Sequence, residues 1–177
     1  LQGKPAVLVL PTMREIEDMA ETLQAIGLRP FAPTQSSDGA YDGDFAILNA
    51  QMAPVERYRA YLATSEGQVR CVIGTRAAMY APVDGNALFF ILDDVCYQDA
   101  DGMMPYANAR GVLRLRAKSH NGVFVAMANA RSVQSQWETD AAHVRTTQVS
   151  GFSTPIHAFP AVTKEASPWI RWLNRDE

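Results

Sequence analysis

Two short apolar segments dominate the hydrophobic pattern of the chain, and they predict the centre of a β-sheet. They cover residues 69–76 and 87–94, and each ends in polar residues. Strands that are apolar on both faces are typical of a parallel sheet covered by helices on both sides. Ligands of such sheets bind at the carboxyl ends of the strands. We therefore expect Thr75 and Arg76 to lie beside Asp93 and Asp94 and to form the functional edge.

The rest of the pattern alternates apolar strands with segments of helical periodicity. It predicts strands at 6–10, 45–49 and 123–127, and helices at about 12–27, 53–67 and 105–120, with a short helix near 132–137. Thr12 and Glu15 form a capping-box pattern at the start of the first helix, and Gly27 is placed to end it. This alternation predicts a three-layer α/β fold with a mainly parallel sheet.

Composition supports one globular domain and narrows its function. The chain has 177 residues, of which 47% are hydrophobic and 20% are charged, which suffices for a domain with an apolar core. A formal net charge of −3 argues against a dedicated DNA-binding module with a strongly basic surface, although a local basic face remains compatible with it. No apolar segment reaches the roughly 18 residues that a membrane span requires.

The sequence contains no complete motif of a zinc, nucleotide or nucleophile site. The two cysteines, Cys71 and Cys96, lack zinc spacing, and we expect both to be buried free thiols of a cytoplasmic protein. No Gly-x-x-x-x-Gly-Lys-Ser/Thr loop occurs, so a complete ATP site is missing from the chain. No serine or cysteine lies in a nucleophile elbow.

Three groups of polar residues are candidates for binding, and each has a structural alternative. Gly74, Thr75 and Arg76 could hold a phosphate, or they could form a strand-to-helix turn with an exposed arginine. Asp93 and Asp94 could bind Mg²⁺, or they could be solvated loop acids. Four basic residues of the third helix could follow a nucleic-acid backbone, or they could form a solvated helix face; they are Arg110, Arg114, Arg116 and Lys118.

Residues 72–82 read Val-Ile-Gly-Thr-Arg-Ala-Ala-Met-Tyr-Ala-Pro. This stretch resembles the V-I-G-T-R-S-A-hydrophobic-F-x-P motif of the primosomal protein N′ (PriA) family of replication-restart helicases, and two further stretches match that family in the same order. Residues 55–62 resemble its S-E-R-hydrophobic helix, and residues 106–117 resemble its Y-H-A-R and hydrophobic-x-R-A segments. The resemblance implies a RecA-like helicase lobe over 1–145, with the first strand and P-loop before residue 1, and an extended connector over 146–177. It also implies use of ATP and Mg²⁺, and a zinc module that lies outside this chain.

The sequence departs from the family at two motifs. The family's catalytic strand end reads D-E-x-H, whose first acid holds Mg²⁺ and whose second orients the attacking water. Asp93 keeps the first acid, whereas Asp94 replaces the glutamate and Cys96 replaces the histidine. Met127-Ala128-Asn129-Ala130 replaces the S-A-T motif that couples hydrolysis to movement. These changes resemble the degenerate actinobacterial PriA proteins and imply loss of ATP-driven unwinding.

Three hypotheses follow from the sequence and the resemblance. The first is a lobe that binds forked or single-stranded DNA through Gly74, Thr75 and Arg76 and helps to assemble the primosome in replication restart. The second is an active ATP-dependent helicase, in which Asp93 holds Mg²⁺ and Asp94 serves as the glutamate. The third is an interdomain scaffold without DNA contact.

Overall fold

A computed structural model describes residues 3–34, 39–97 and 107–140, and within them the chain forms one parallel sheet with helices on both faces. The strands are β1 (Ala6–Val9), β2 (Phe45–Leu48), β3 (Cys71–Gly74), β4 (Leu88–Leu92) and β5 (Val123–Met127). The helices are α1 (Met13–Ala25), α2 (Pro54–Ser65), α3 (Ala109–Ser119) and α4 (Val133–Asp140), with 3₁₀ helices at Arg76–Tyr80 and Asp94–Tyr97. The sheet order is β2-β3-β1-β4-β5, and every strand pair is parallel.

The two faces of the sheet are covered by different helices, so the predicted three-layer α/β fold is confirmed. On one face, Ile16 and Leu23 of α1 pack on Phe45 and Ile73. On the other face, α2 and α3 pack against alternate residues of the same strands; the cluster includes Ala60, Ala63, Leu113, Ala117, Val7, Ala46, Val72 and Phe89. The arrangement is the one expected of a RecA-like lobe.

The predicted first helix begins and ends where the sequence pattern placed its caps. Thr12 is the N-cap residue. Its hydroxyl donates a hydrogen bond to the Glu15 carboxylate, so the two residues interact through their side chains. Gly27 has φ 92°, a left-handed conformation that favours glycine. The Leu28 N–H donates to the Leu23 carbonyl at 3.0 Å, which closes the end of the helix with a Schellman-type bond.

Two expectations about the elements need correction. β3 and β4 are not neighbours, because β1 lies between them and pairs with both. Hydrophobic periodicity reports burial, and it does not specify the lateral order of strands. The third helix begins at Ala109 rather than near residue 105, because the Asn108 side chain caps it by accepting the Gly111 N–H at 2.8 Å.

β5 is the last strand in the sheet order, and one face of the sheet is exposed at this strand. Val123, Val125 and Met127 are 55%, 38% and 56% exposed. The register pairs them with Leu88, Phe90 and Leu92 of β4, which pack toward the α1 side. Within the described residues, α1 therefore covers the β2, β3 and β1 part of this face more fully than the β5 part.

The predicted connector over 146–177 lies outside the described residues. Within the described residues, no helix has the length and hydropathy needed to cross a membrane.

Candidate functional site

The predicted site residues lie at one edge of the sheet, because all five strands run in the same direction. Thr75 and Arg76 follow β3, and Asp93 and Asp94 follow β4. The end of β1, at Val9, separates the two groups. The residues thus share an edge without being directly adjacent, and contact between them depends on the reach of their side chains.

Gly74 has a structural reason to be glycine. A Cβ at this position would lie 1.9 Å from the Leu48 carbonyl oxygen and 2.9 Å from the Ala78 Cβ. The backbone of β2 therefore occupies the space that a side chain would need. This close packing explains the glycine without requiring a phosphate to approach it.

Arg76 reaches across the end of β1 toward the segment that follows β4. Its guanidinium carbon lies 6.0 Å from the centroid of the Tyr97 ring. Burial raises the pKa of Tyr97 above its ordinary value, whereas the positive charge of Arg76 lowers it. Thr75 precedes the 3₁₀ helix Arg76–Tyr80, and its carbonyl accepts the Ala78 N–H at 2.8 Å. The predicted strand-to-helix turn is present, and its arginine is half-buried.

Asp93 lies at a constrained backbone position between the ends of two strands. Its φ of 52° is in the left-handed region, which non-glycine residues other than Asn and Asp rarely adopt. The Asp93 N–H donates to the Met127 carbonyl at 2.7 Å, and the Asp93 carbonyl accepts the Cys96 N–H at 2.9 Å. These bonds fix the end of β4 against the end of β5 and place Cys96 beside Asp93.

The two cysteines differ in exposure, so the prediction of two buried thiols is wrong for Cys96. Cys71 is buried in β3, and burial raises its pKa to about 11. Cys96 is exposed. Its pKa is raised by partial loss of solvation and then by the charge of Asp93 and a hydrogen bond to it. Both thiols are free, and Cys96 lies beside the Asp93 carboxylate.

Asp94 faces the interior of the protein. It is 4% exposed and begins the 3₁₀ helix Asp94–Tyr97. Its Oδ2 lies 2.8 Å from Arg110 Nη1, and the Ser132 hydroxyl donates to the same oxygen at 2.6 Å. The alternative of a solvated loop acid is therefore wrong for Asp94. Sequence reasoning missed Arg110 and Ser132 as its partners, and no spacing rule connects them to it.

The arginines of α3 make contacts within the protein, and the alternative of a solvated helix face is wrong for Arg110. Arg110 is buried between carboxylates. Arg114 pairs with Glu138. Arg116 donates to the carbonyls of Met79 and Ala81 at 2.5 and 2.6 Å, and burial lowers its pKa. Arg110 and Arg116 hold α3 to its neighbours, whereas Arg114 and Lys118 are the exposed members of the predicted basic face.

Curated proteins from mycobacteria and chlamydiae match most of the chain. Probable replication restart protein PriA of Mycobacterium leprae is 33% identical over 149 residues, which is 81% of this chain and 21% of that protein. The M. tuberculosis protein of the same name is 28% identical over 144 residues, 78% of this chain and 20% of that protein. This similarity confirms the predicted resemblance to the PriA proteins. Replication restart protein PriA of Chlamydia pneumoniae is 24% identical over 136 residues, 76% of this chain and 16% of that protein.

The chain spans about a fifth of the length of its mycobacterial PriA relatives, at 20% and 21%. No protein-family model matches it.

The PriA resemblance implies Mg²⁺ and ATP at this edge, and the described residues supply only part of such a site. Asp93 would contribute one carboxylate to Mg²⁺. The carboxylate of Asp94 is occupied by Arg110 and Ser132. Within the described ranges, no group of three or more His, Cys, Asp or Glu side chains is arranged to hold a metal ion. The described residues therefore do not fit a complete Mg²⁺–nucleotide site.

Proposed function

We propose that this chain is a RecA-like lobe of a replication-restart protein, and that it binds forked or single-stranded DNA, helps to assemble the primosome and has lost ATP hydrolysis. Its similarity to proteins named replication restart protein PriA supports the assignment to a replication-restart protein. The buried ion pair between Asp94 and Arg110 is the observation that supports the proposed loss of ATP hydrolysis.

The environment of Asp94 supports the loss of hydrolysis. A residue that orients an attacking water must be within hydrogen-bond reach of that water beside the transferred phosphate. Asp94 is 4% exposed, and one of its oxygens already accepts from Arg110 and Ser132. Cys96, in place of the family's histidine, is an exposed thiol whose pKa is raised by partial loss of solvation, by the charge of Asp93 and by a hydrogen bond to it. Asp94 is therefore not arranged for the role that the family assigns to its position.

Arg76 is the proposed DNA contact at this edge. It is half-buried at the carboxyl end of β3, and its guanidinium lies near the Tyr97 ring, which limits its orientations. A guanidinium held in place loses less side-chain entropy when it pairs with a phosphate oxygen. Thr75 adds a hydroxyl at the same turn, and Gly74 maintains the close packing that positions both.

The DNA contact is tested by Arg76→Ala in the whole protein, with Arg70→Ala as the matched control. Arg70 precedes β3 at the opposite edge of the sheet, where it donates to the Gly3 carbonyl at 3.0 Å. We expect Arg76→Ala to weaken binding to forked DNA about tenfold. The logarithm of the binding constant falls linearly with the logarithm of the salt concentration. Loss of one phosphate contact should reduce the magnitude of that slope by about 0.9, measured between about 50 and 200 mM salt. Equal affinities for the two variants would refute the contact and favour the interdomain scaffold.

Hydrolysis is tested by measuring ATP turnover of the whole protein with and without forked DNA, beside Asp93→Asn. We expect the unaltered protein to show no more turnover than the variant, because Asp94, at the position of the family's glutamate, is held in a buried ion pair with Arg110. DNA-stimulated turnover that Asp93→Asn abolishes would instead identify an active helicase in which Asp93 holds Mg²⁺.

A further inference from the structure

A buried cluster of charged and polar side chains connects the end of β4 to α3 and α4. It consists of Asp94, Arg110, Ser132 and Glu138, each at most 4% exposed, and we call these residues the buried network. Arg110 lies between the two acids, with Nη1 2.8 Å from Asp94 Oδ2 and Nη2 2.6 Å from Glu138 Oε2. The Ser132 hydroxyl donates to Asp94 Oδ2 at 2.6 Å. The network therefore joins three elements that are distant in sequence.

The charges of the buried network are compensated locally. Arg114 pairs with the second oxygen of Glu138, so two guanidinium groups balance two carboxylates. The guanidinium carbon of Arg110 lies 5.2 Å from the centroid of the Phe124 ring on β5, which adds an aromatic contact from the sheet. Each ion is paired and hydrogen-bonded, although Arg110 Nε has no partner among the described residues, and removing one partner of such a pair is strongly destabilising.

The buried network also joins the two strand ends at which the PriA resemblance places its hydrolysis and coupling motifs. Ser132 follows β5 and accepts the Ser135 N–H with its side-chain oxygen at 3.1 Å, so it caps α4 while it contacts Asp94. The backbone bond from the Asp93 N–H to the Met127 carbonyl, at 2.7 Å, forms a second connection between the same ends. Both connections are made between protein atoms.

We propose that Asp94 has become a structural acid, and that the buried network holds the ends of β4 and β5 in one arrangement whether or not a nucleotide is bound. In an active relative, the residue at this position would orient the attacking water. In this chain, Asp94 at the same position forms an internal ion pair. Restoring the family's glutamate would then disrupt the network instead of restoring hydrolysis, because contacts of 2.6 and 2.8 Å leave no room for an added methylene. The statement about hydrolysis rests on the proposed function, and the statement about the network does not.

The test is a double-mutant cycle on Asp94→Asn and Arg110→Gln in the whole protein, read as the midpoint of thermal unfolding. Arg110→Gln leaves the buried Asp94 without its cation, and Asp94→Asn leaves the buried Arg110 with one acid instead of two, so we expect each to lower the midpoint by about 10 °C. The double variant should lose less than the sum of the two, since Asp94→Asn removes a charge that is already unpaired once Arg110 is replaced. Additive losses would overturn the proposal.

Asp93→Asn is the matched control, since it removes the neighbouring carboxylate at a left-handed position that asparagine tolerates. We expect it to change the midpoint by no more than about 2 °C. If Asp94→Asn and Asp93→Asn lowered the midpoint of thermal unfolding equally, the result would contradict the network. If Asp94→Asn does not fold, Ser132→Ala should lower the midpoint by about 3 °C, and the exposed Ser65→Ala should not.

Asp94→Glu separates the inference from the proposed function. We expect this variant to have a lowered midpoint and no gain in ATP turnover, and turnover with an unchanged midpoint would overturn the inference. Turnover by the unaltered protein that depends on Asp93 would contradict the proposed function and leave the network untouched. A midpoint that is insensitive to both Asp94→Asn and Arg110→Gln would contradict the network whatever the turnover.

Discussion

At the scale of single residues, two neighbouring acids with identical side chains have opposite environments. Asp93 is half-buried at the strand end beside an exposed thiol, and Asp94 is buried against Arg110. The left-handed backbone at Asp93 changes the direction of the chain between them. The sequence identified both acids as candidates, and it could not distinguish them, because their difference arises from one backbone conformation and from partners on other elements.

Cys96 provides a chemical test of the Asp93 environment. The negative charge of Asp93 raises the pKa of the Cys96 thiol, so Asp93→Asn should lower that pKa and increase the thiolate fraction at pH values below it. We expect alkylation of Cys96 near pH 8 to be about threefold faster in Asp93→Asn. Peptide mapping by mass spectrometry would distinguish Cys96 from the buried Cys71, which should react only after unfolding.

The exposed Asp84→Asn serves as the control for this labelling experiment. Asp84 lies in the turn before β4 and is not among the groups that shift the Cys96 pKa. An equal rate for Asp84→Asn and Asp93→Asn would mean that Asp93 does not act on the thiol.

At the scale of elements, the sequence pattern located helices and strands more reliably than it assigned their polar faces. β5 was predicted with the limits that the structure has, Val123–Met127. The same reasoning treated the arginines of α3 as a binding or solvated face, whereas Arg110 and Arg116 are anchored within the protein. Apolar periodicity measures burial of apolar residues only, and a buried arginine with its partners carries no such signal.

Gly74 tests the packing between β3 and β2. A Cβ there would meet the Leu48 carbonyl oxygen at 1.9 Å, so Gly74→Ala should lower the free energy of unfolding by about 2 to 3 kcal/mol. Gly111→Ala is the control, because the nearest atom to its Cβ would be 3.5 Å away and alanine favours a helix. Urea unfolding of the whole protein measures both. A Gly74→Ala variant as stable as Gly111→Ala would show that the strands are not packed this closely.

At the scale of the whole molecule, strand order decides which motifs meet. β1 lies between β3 and β4, so the two groups of candidate residues are brought toward each other by the reach of Arg76 to Tyr97. The ends of β4 and β5, in contrast, are direct neighbours. Their motifs are connected by backbone and side-chain bonds, which is the basis for the buried network.

The sequence by itself determined the elements, the three-layer parallel class and the similarity to PriA, because each depends on local periodicity, turn residues or a contiguous motif. Only the tertiary structure decided the lateral strand order and the partners of the polar side chains. Asp94 and Arg110 are 16 residues apart, and Arg116 and Met79 are 37 apart. Contacts at such separations depend on how the layers stack, so no local pattern in the chain encodes them.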